Sequence, residues 1–556
     1  MNSPNPALVT ERAATRLPRV ALLLLCAAYL LPGLFGRDPW KNADITAFGY
    51  MMSLAKGHGS WLMPTIGGLP ADGALLPYWV GAGFIELLGP WIGAPLAARI
   101  PFALLLGIVM MLTWYSPFPL ARTEAAQPLP FASGGEAKPV DYARALADGA
   151  LLALIASLGL LQLGHETTPE LGQLAGVALF LYALAAAPFR SWEPRAAALC
   201  SLPVMAASGA PAIALTLGLV GIVLCRRSSY ESVRHLVTWL VVALLLAAVA
   251  ATVFGAWGWR LKGYDHLGSI GSLLRQLVWF LWPVWPLALW TLWRWRKHLF
   301  HRHISVPLGS ALVALVACLA MGGSDRALML ALPSLAVLAS FILPTLQRST
   351  AAALDWFSVF FFTICALFVW VMYAAMQTGW PEKQAANIAK LAPGFAPSFS
   401  WVALVFALLG TAAWLWLVQW RTGRNRHPLW KSLVLPASGV ALCWLLAMTL
   451  WLPALDYARS YRPLVSRVSQ HVPPGACIIA PDMNRGLIAA IEYFGGFDVD
   501  AVNDEQSSDC EVLFVTETRT DRPAVSAGWT LVAREVRPTD RDTIVAVYRR
   551  TRLAAR

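Results

Sequence analysis

The sequence predicts an all-α polytopic membrane domain of about thirteen transmembrane helices, followed by a small C-terminal α/β domain outside the bilayer. Three observations predict it. Of the 556 residues, 58% are hydrophobic and 13% are charged, where a soluble chain carries about 25% charged residues. Uncharged apolar runs approach the roughly 20 residues that a spanning helix needs, and they recur as far as residue 455. After Asp456, charged residues, Gly and Pro return, and short strand-like runs replace the long apolar ones. The expected division is a membrane domain over 1–455, with an external first loop at 37–100, and a soluble domain over 456–556.

The single-span runs are 20–36, 101–121, 149–164, 171–189, 236–259, 276–293, 304–324, 327–347, 356–381, 398–420 and 432–455. Ala196–Cys225 is longer and has Ser208-Gly209-Ala210-Pro211 at its middle. Arg190 and Arg195 precede it, and Arg226 and Arg227 follow it. Basic residues at both ends with a breaker between them predict a hairpin of two short helices. Tyr78–Leu88 is apolar but too short to cross, and reads as a helix on the membrane surface. Arg12, Arg16 and Arg19 stand before the first run with no convincing small-residue cleavage site, so the first span is expected to be uncleaved.

Lys and Arg number 43 against 31 Asp and Glu, an excess of 12. No nucleic-acid motif accompanies it, and no nucleic-acid partner is expected. With the N-terminus in the cytoplasm, dense clusters fall in inside loops: Arg226/Arg227/Arg234, Arg294/Arg296/Lys297/Arg302 and Arg421/Arg424/Arg426/Lys431. An odd span count then puts the C-terminal domain outside.

In the soluble domain, strands are expected at 476–480, 510–515, 529–536 and 543–550, with a helix at 485–496. Six of the eight cysteines lie in apolar runs and behave as small hydrophobes. Cys477 and Cys510 border strands in an oxidising compartment, where either a disulfide or two free thiols fits.

The densest chemistry is in the first external loop, Asn42–Trp79, which holds Asp44, Lys56, His58 and Asp72. An N-terminal span, an early Asp, "GSWLMP" at 59–64, the short "PYW" helix and an external tail together resemble the GT-C glycosyltransferases. The likeness is greatest to the lipid A aminoarabinose transferases, with the protein O-mannosyltransferases more distant. "WFLWPVWPLALWTLW" (279–293) and "DRALMLALPSLAVLAS" (325–340) are similar to later helices of that family. The chain departs from the pattern at each acidic motif. Asp44 stands at the family's first-loop Asp but is followed by Ile45 rather than Glu. Asp72 lies near a family Glu, in "ADGALLPYW", without the Lys that follows it. "GHETTPEL" puts His165 and Glu166 where the family has an Asp.

The resemblance implies a multi-pass protein of the bacterial inner membrane, expected as a monomer. It implies transfer of a sugar, aminoarabinose-like, from a polyprenyl phosphate to a periplasmic-side acceptor such as lipid A, another glycan or a protein. Asp44 is the expected base, Asp72 an orienting group, and His165 and Glu166 the next catalytic candidates. Lys41, Lys56, Arg260, Lys262 and Arg326 are candidates to hold the lipid phosphate. Each has a structural alternative. Asp44 suits the N-cap of "ITAFGYMMSLAKG" and Asp72-Gly73 a turn, while His165/Glu166 fits a solvated helix end. Arg326 and Lys56 fit interfacial anchors. No cofactor is fixed by a motif, since CxxC and HExxH are absent. A divalent metal on His165 and Glu166 would need their turn to unwind. A transporter is the first rival class, but the spans lack mid-membrane charges and repeated halves. A catalytically inactive relative is the second, given Ile45.

Overall fold

The computed structural model describes residues 7–130, 134–258, 267–422, 428–505, 507–518 and 520–551. Among the described residues, nine helices are long and apolar enough to cross a membrane. They are Leu75–Ile92, Ala94–Ala121, Pro169–Ala186, Glu231–Val253, Arg302–Ala320, Asp325–Thr345, Ser349–Thr378, Trp401–Arg421 and Lys431–Leu450. Arg19–Leu30 and Pro211–Arg226 are shorter apolar helices.

The difference from the expected count has local causes. The run 276–293 is divided at Pro283 between helices Leu267–Phe280 and Val284–Arg294, because proline cannot donate the helix hydrogen bond there. The run 149–164 is shared by Pro139–Ala156 and the one-turn helix Leu160–Leu163. Ala196–Cys225 does form two helices, Glu193–Ala207 and Pro211–Arg226. Gly209 joins them at φ +86°, a backbone region that only glycine enters without strain. The surface helix expected at Tyr78–Leu88 is instead an 18-residue helix, Leu75–Ile92. It runs through Pro90 and has the length and composition of a span.

Helices Pro169–Ala186, Asp325–Thr345 and Lys431–Leu450 are mostly buried, whereas Ser349–Thr378 and Trp401–Arg421 turn apolar side chains outward. Phe360, Leu367, Trp401 and Trp416 are all exposed, as a lipid-facing surface requires.

The first loop folds as helix Ala43–Ala55 and a small antiparallel sheet of Gly59–Ser60, Met63–Ile66 and Leu69–Pro70. That sheet has no alternating pattern in the sequence, because its strands are only two to four residues long. The C-terminal domain contains a five-stranded sheet. Its order is Asp498–Asp500, Cys477–Ile479, Val512–Glu517, Asp540–Arg550 and Trp529–Arg537. The first three strands are parallel and the last two join antiparallel. Helix Arg485–Ala490 continues as a wider turn to Gly495. Four of these strands lie where alternation placed them, and Asp498–Asp500 is the addition.

Cys477 and Cys510 are joined in a disulfide, with Cα atoms 5.1 Å apart. In non-reduced protein both should resist alkylation and label only after reductant. Free labelling before reduction would contradict the bridge.

The C-terminal domain sits directly on the first loop. Helix Arg485–Ala490 crosses Ala43–Ala55 so closely that a Cβ on Gly49 would lie 2.6 Å from the Ala489 Cβ. The Gly67 amide donates to Glu492 at 2.9 Å, and the Ala501 amide donates to the Gly67 carbonyl at 3.0 Å. Burial pushes the pKa of Glu492 up to about 7. A carboxyl raised from 4.5 to about 7 binds its proton more tightly when folded. Its contribution to stability is therefore present below the unfolded value and is lost as pH rises through about 7. The melting temperature should fall between pH 5 and 8 more steeply in the native chain than in Glu492→Gln. Parallel profiles would remove Glu492 from the account.

Candidate functional site

The site is built from five segments that are remote in sequence, one of them the turn of helix Ala94–Tyr115 that carries Arg99. Arg37–Asp44 follows the first apolar helix, Arg19–Leu30, and opens the loop helix. Gly164–Glu170 is the turn before helix Pro169–Ala186. Asp325–Arg326 begins another helix, and Asp456–Arg462 enters the C-terminal domain.

Asp44 lies at the centre and is 1% exposed. It does not cap its own helix, which begins at Ala43. One carboxylate oxygen accepts the Trp40 amide at 2.9 Å and faces Arg37 Nη2 at 3.5 Å. The other accepts the Thr167 amide at 2.8 Å and the Thr167 hydroxyl at 2.6 Å. Burial alone would raise the pKa, but Arg37, Arg99 and the hydrogen bonds outweigh it. Asp44 is held below the usual carboxylate range and stays ionised at neutral pH.

Glu166 precedes Thr167 and is also buried. Its carboxylate bonds Arg326 Nη2 at 2.6 Å and Gln162 Nε2 at 2.8 Å. Arg326 also reaches the Thr168 hydroxyl at 3.0 Å and Glu170 at 3.4 Å. Burial pushes Glu166 up; Arg326 pulls it back, and the charge of Asp44 adds to the rise. Two neighbouring carboxyls thus have opposite shifts, the pattern that divides a fixed charge from the stronger base.

His165 turns to other partners. Its ring nitrogens lie 2.7 Å from the Leu161 carbonyl and 2.9 Å from that of Tyr29. The ring packs between Tyr29 and Trp444, with centroids 5.3 and 4.5 Å away. Its contribution to the cluster is its carbonyl, which accepts Arg37 Nη2 at 2.9 Å. Both nitrogens lie against backbone carbonyls rather than against Glu166. Among the described residues, no group of three or more His, Cys, Asp or Glu could hold a metal ion.

Asp72 is brought to a different place. It pairs with Arg485 at 2.9 Å and is largely exposed, so it ties the loop to the C-terminal domain. Lys56 closes the loop helix, and its charge acts on Glu492. Lys41 is exposed at the rim, and its amide donates to the Arg459 carbonyl at 2.8 Å. Arg260 and Lys262 lie outside the described residues.

The sequence reading missed Arg37, Arg99, Arg459 and Asp456. Arg37 is 3% exposed, and its Nε and Nη1 have no partner among the described residues. Arg99 is 4% exposed, with Nη2 likewise unpaired. Arg99 lies within the apolar helix Ala94–Tyr115, where an ionisable residue is itself a functional signal. Starting the apolar run at residue 101 hid that signal. Arg37 and Arg459 both stack on Trp40, at 4.6 and 5.1 Å from the ring centroid. Asp456 accepts the Trp40 indole at 3.0 Å and the Asp38 amide at 2.9 Å. Asp38 in turn takes two bonds from Arg462, at 2.7 and 2.6 Å. These links fix the end of the membrane domain against the loop that carries Asp44.

A many-span helical domain, a folded first loop over a charged cluster and a small C-terminal sheet domain together make up the fold. This fold is similar to that of ArnT. The structure of ArnT from Cupriavidus metallidurans bound to undecaprenyl phosphate superposes with a TM-score of 0.59 at 16% identity. The alignment covers 95% of this chain and 96% of that one. The apo structure of the same protein gives 0.58 at 16% identity, with the same coverage. At that identity the likeness establishes the fold. No protein-family model and no curated protein matches the sequence.

Proposed function

We propose that this chain transfers a sugar from a polyprenyl phosphate to an acceptor at the outer face of the bacterial inner membrane. Lipid A and an aminoarabinose-like sugar are the first acceptor and donor to test. The observation that carries the reading is the convergence of Asp44, Glu166, Arg37, Arg99, Arg326 and Arg459 from separate segments at one end of the bundle. The undecaprenyl phosphate in the ArnT structure supports the donor class.

The reaction needs little of the protein beyond placement, charge stabilisation and one proton transfer. The acceptor oxygen attacks the anomeric carbon while the bond to the phosphate oxygen breaks. Glu166 takes the acceptor proton, and its raised pKa suits that role better than the depressed one of Asp44. Asp44 supplies a fixed negative charge that holds Arg37 and the Thr167 turn in place. The phosphate that leaves gains charge, and Arg326, Arg459 and Lys41 at the accessible rim are assigned to stabilise it. Arg37 and Arg99 add positive potential from beneath.

The test is purified protein with polyprenyl-phosphate sugars, read by mass spectrometry of added lipid A, envelope glycans and proteins. Donor-dependent addition of one sugar mass is expected. Failure with every donor and acceptor, alongside protein that stays folded, would favour the inactive-relative reading. A reporter fused after Arg556 should be active on the periplasmic side, and cytoplasmic activity would reverse the orientation.

A further inference from the structure

We propose that the membrane domain carries, on the face opposite Asp44, a binding site for an anionic glycerophospholipid. A cavity of about 1460 Å³ opens there between the ends of helices Pro211–Arg226 and Arg302–Ala320 and the segment after Ala121. Its position follows from helices that run from one site to the other. Arg302–Ala320 starts in the cavity and leads to Arg326 of the Asp44 cluster. Its 19 residues span about 28 Å at ~1.5 Å per residue. Pro169–Ala186 repeats the relation: Thr168 and Glu170 bind Arg326 at one end, and the Leu184 carbonyl accepts Arg302 at the other.

The cavity has two chemical halves. Its lining includes Arg227, Arg302 and Ser228 and, among the described residues, one carboxylate, Glu124. Arg227 is exposed, above the ring of Phe300 at 6.0 Å. Arg302 donates to the Ser228 hydroxyl at 3.4 Å, and its buried Nε has no partner among the described residues. Its apolar lining includes Leu224, Leu308 and Leu312, which come from the two helices. Leu312 is 50% exposed on the outside of the bundle, so the cleft opens towards the acyl chains. Paired guanidiniums over an apolar cleft at helix ends match a lipid phosphate with a chain beneath it. A soluble phosphate would leave the cleft unused. The proposal does not rest on the transferase reading, since lipid binding is measured without any sugar donor.

Native mass spectrometry of the full chain in detergent tests it, with phosphatidylglycerol and phosphatidylcholine titrated as probes. Phosphatidylglycerol should be retained in preference. Arg227→Gln should weaken it about fivefold, the worth of one basic residue near a lipid surface. Leu312→Trp, which fills the cleft from outside, should weaken it as well. Both positions are exposed, and unchanged melting would show that the variants fold. Equal retention of the two lipids would overturn the proposal, as would phosphatidylglycerol binding that neither variant changes. Displacement by glycerol 3-phosphate at equal concentration would assign the site to free phosphate instead.

Discussion

Asp44→Asn is expected to lose about 10²-fold in transfer rate, the cost of misplacing site groups by about 1 Å, because the fixed charge that holds Arg37 and the Thr167 turn is gone, and to lower the melting temperature. The second effect follows from the geometry. The carboxylate accepts from the Trp40 amide, the Thr167 amide and the Thr167 hydroxyl, and faces Arg37. An Asn amide offers one oxygen and turns an NH2 group towards donors. At least one buried N–H then loses its acceptor, and Arg37 loses its counter-charge. Breaking a buried ion pair from one side costs about 3–5 kcal/mol. Rates must therefore be compared well below both melting transitions. Thr167→Val is the control. It removes one hydrogen bond and leaves the charge, so it should cost about 1–3 kcal/mol of stability and keep most of the transfer. Wild-type rates in Asp44→Asn would place the reaction elsewhere.

Glu166→Gln is expected to lose a similar factor, about 10²–10⁴-fold, and to remove the acid limb of the pH–rate profile. A base must be deprotonated to act, so the native rate should climb as pH rises through its pKa. Burial places that limb above the ordinary Glu value of about 4.3. Arg326 opposes the rise, so Arg326→Met should move the limb to higher pH. Gln preserves the shape of the side chain, which separates proton transfer from packing. An unchanged rate and acid limb in Glu166→Gln would reduce Glu166 to a partner of Arg326.

Part of the site was legible because its residues stand against an apolar background. Asp44 is an acid just after the first span, and Arg326 a cation between two apolar runs. Both are in the cluster, linked through Thr167 and Glu166. His165 and Glu166 look equivalent as neighbours in the sequence. The fold separates them, one packed between aromatic rings and the other bonded to Arg326. Asp72 reads as a second loop carboxylate, yet its partner is Arg485, more than four hundred residues away in the chain. No local pattern reports that pairing.

The sequence by itself determined the solvent of each part of the chain. Long uncharged runs can satisfy their backbone only as helices in lipid, and the return of charge and alternation after Asp456 demands a water-side sheet domain. It also determined the break at Gly209, because backbone chemistry there is local. Only the tertiary structure decided which carboxyl group is the weaker acid. That depends on burial and on distances to Arg37, Arg99 and Arg326, set by helices that meet from distant parts of the chain. It also decided how the C-terminal domain docks on the first loop, through Asp38–Arg462, Asp72–Arg485 and Gly49 against Ala489. Such contacts arise from shape and charge in three dimensions, and a one-dimensional pattern carries no trace of them.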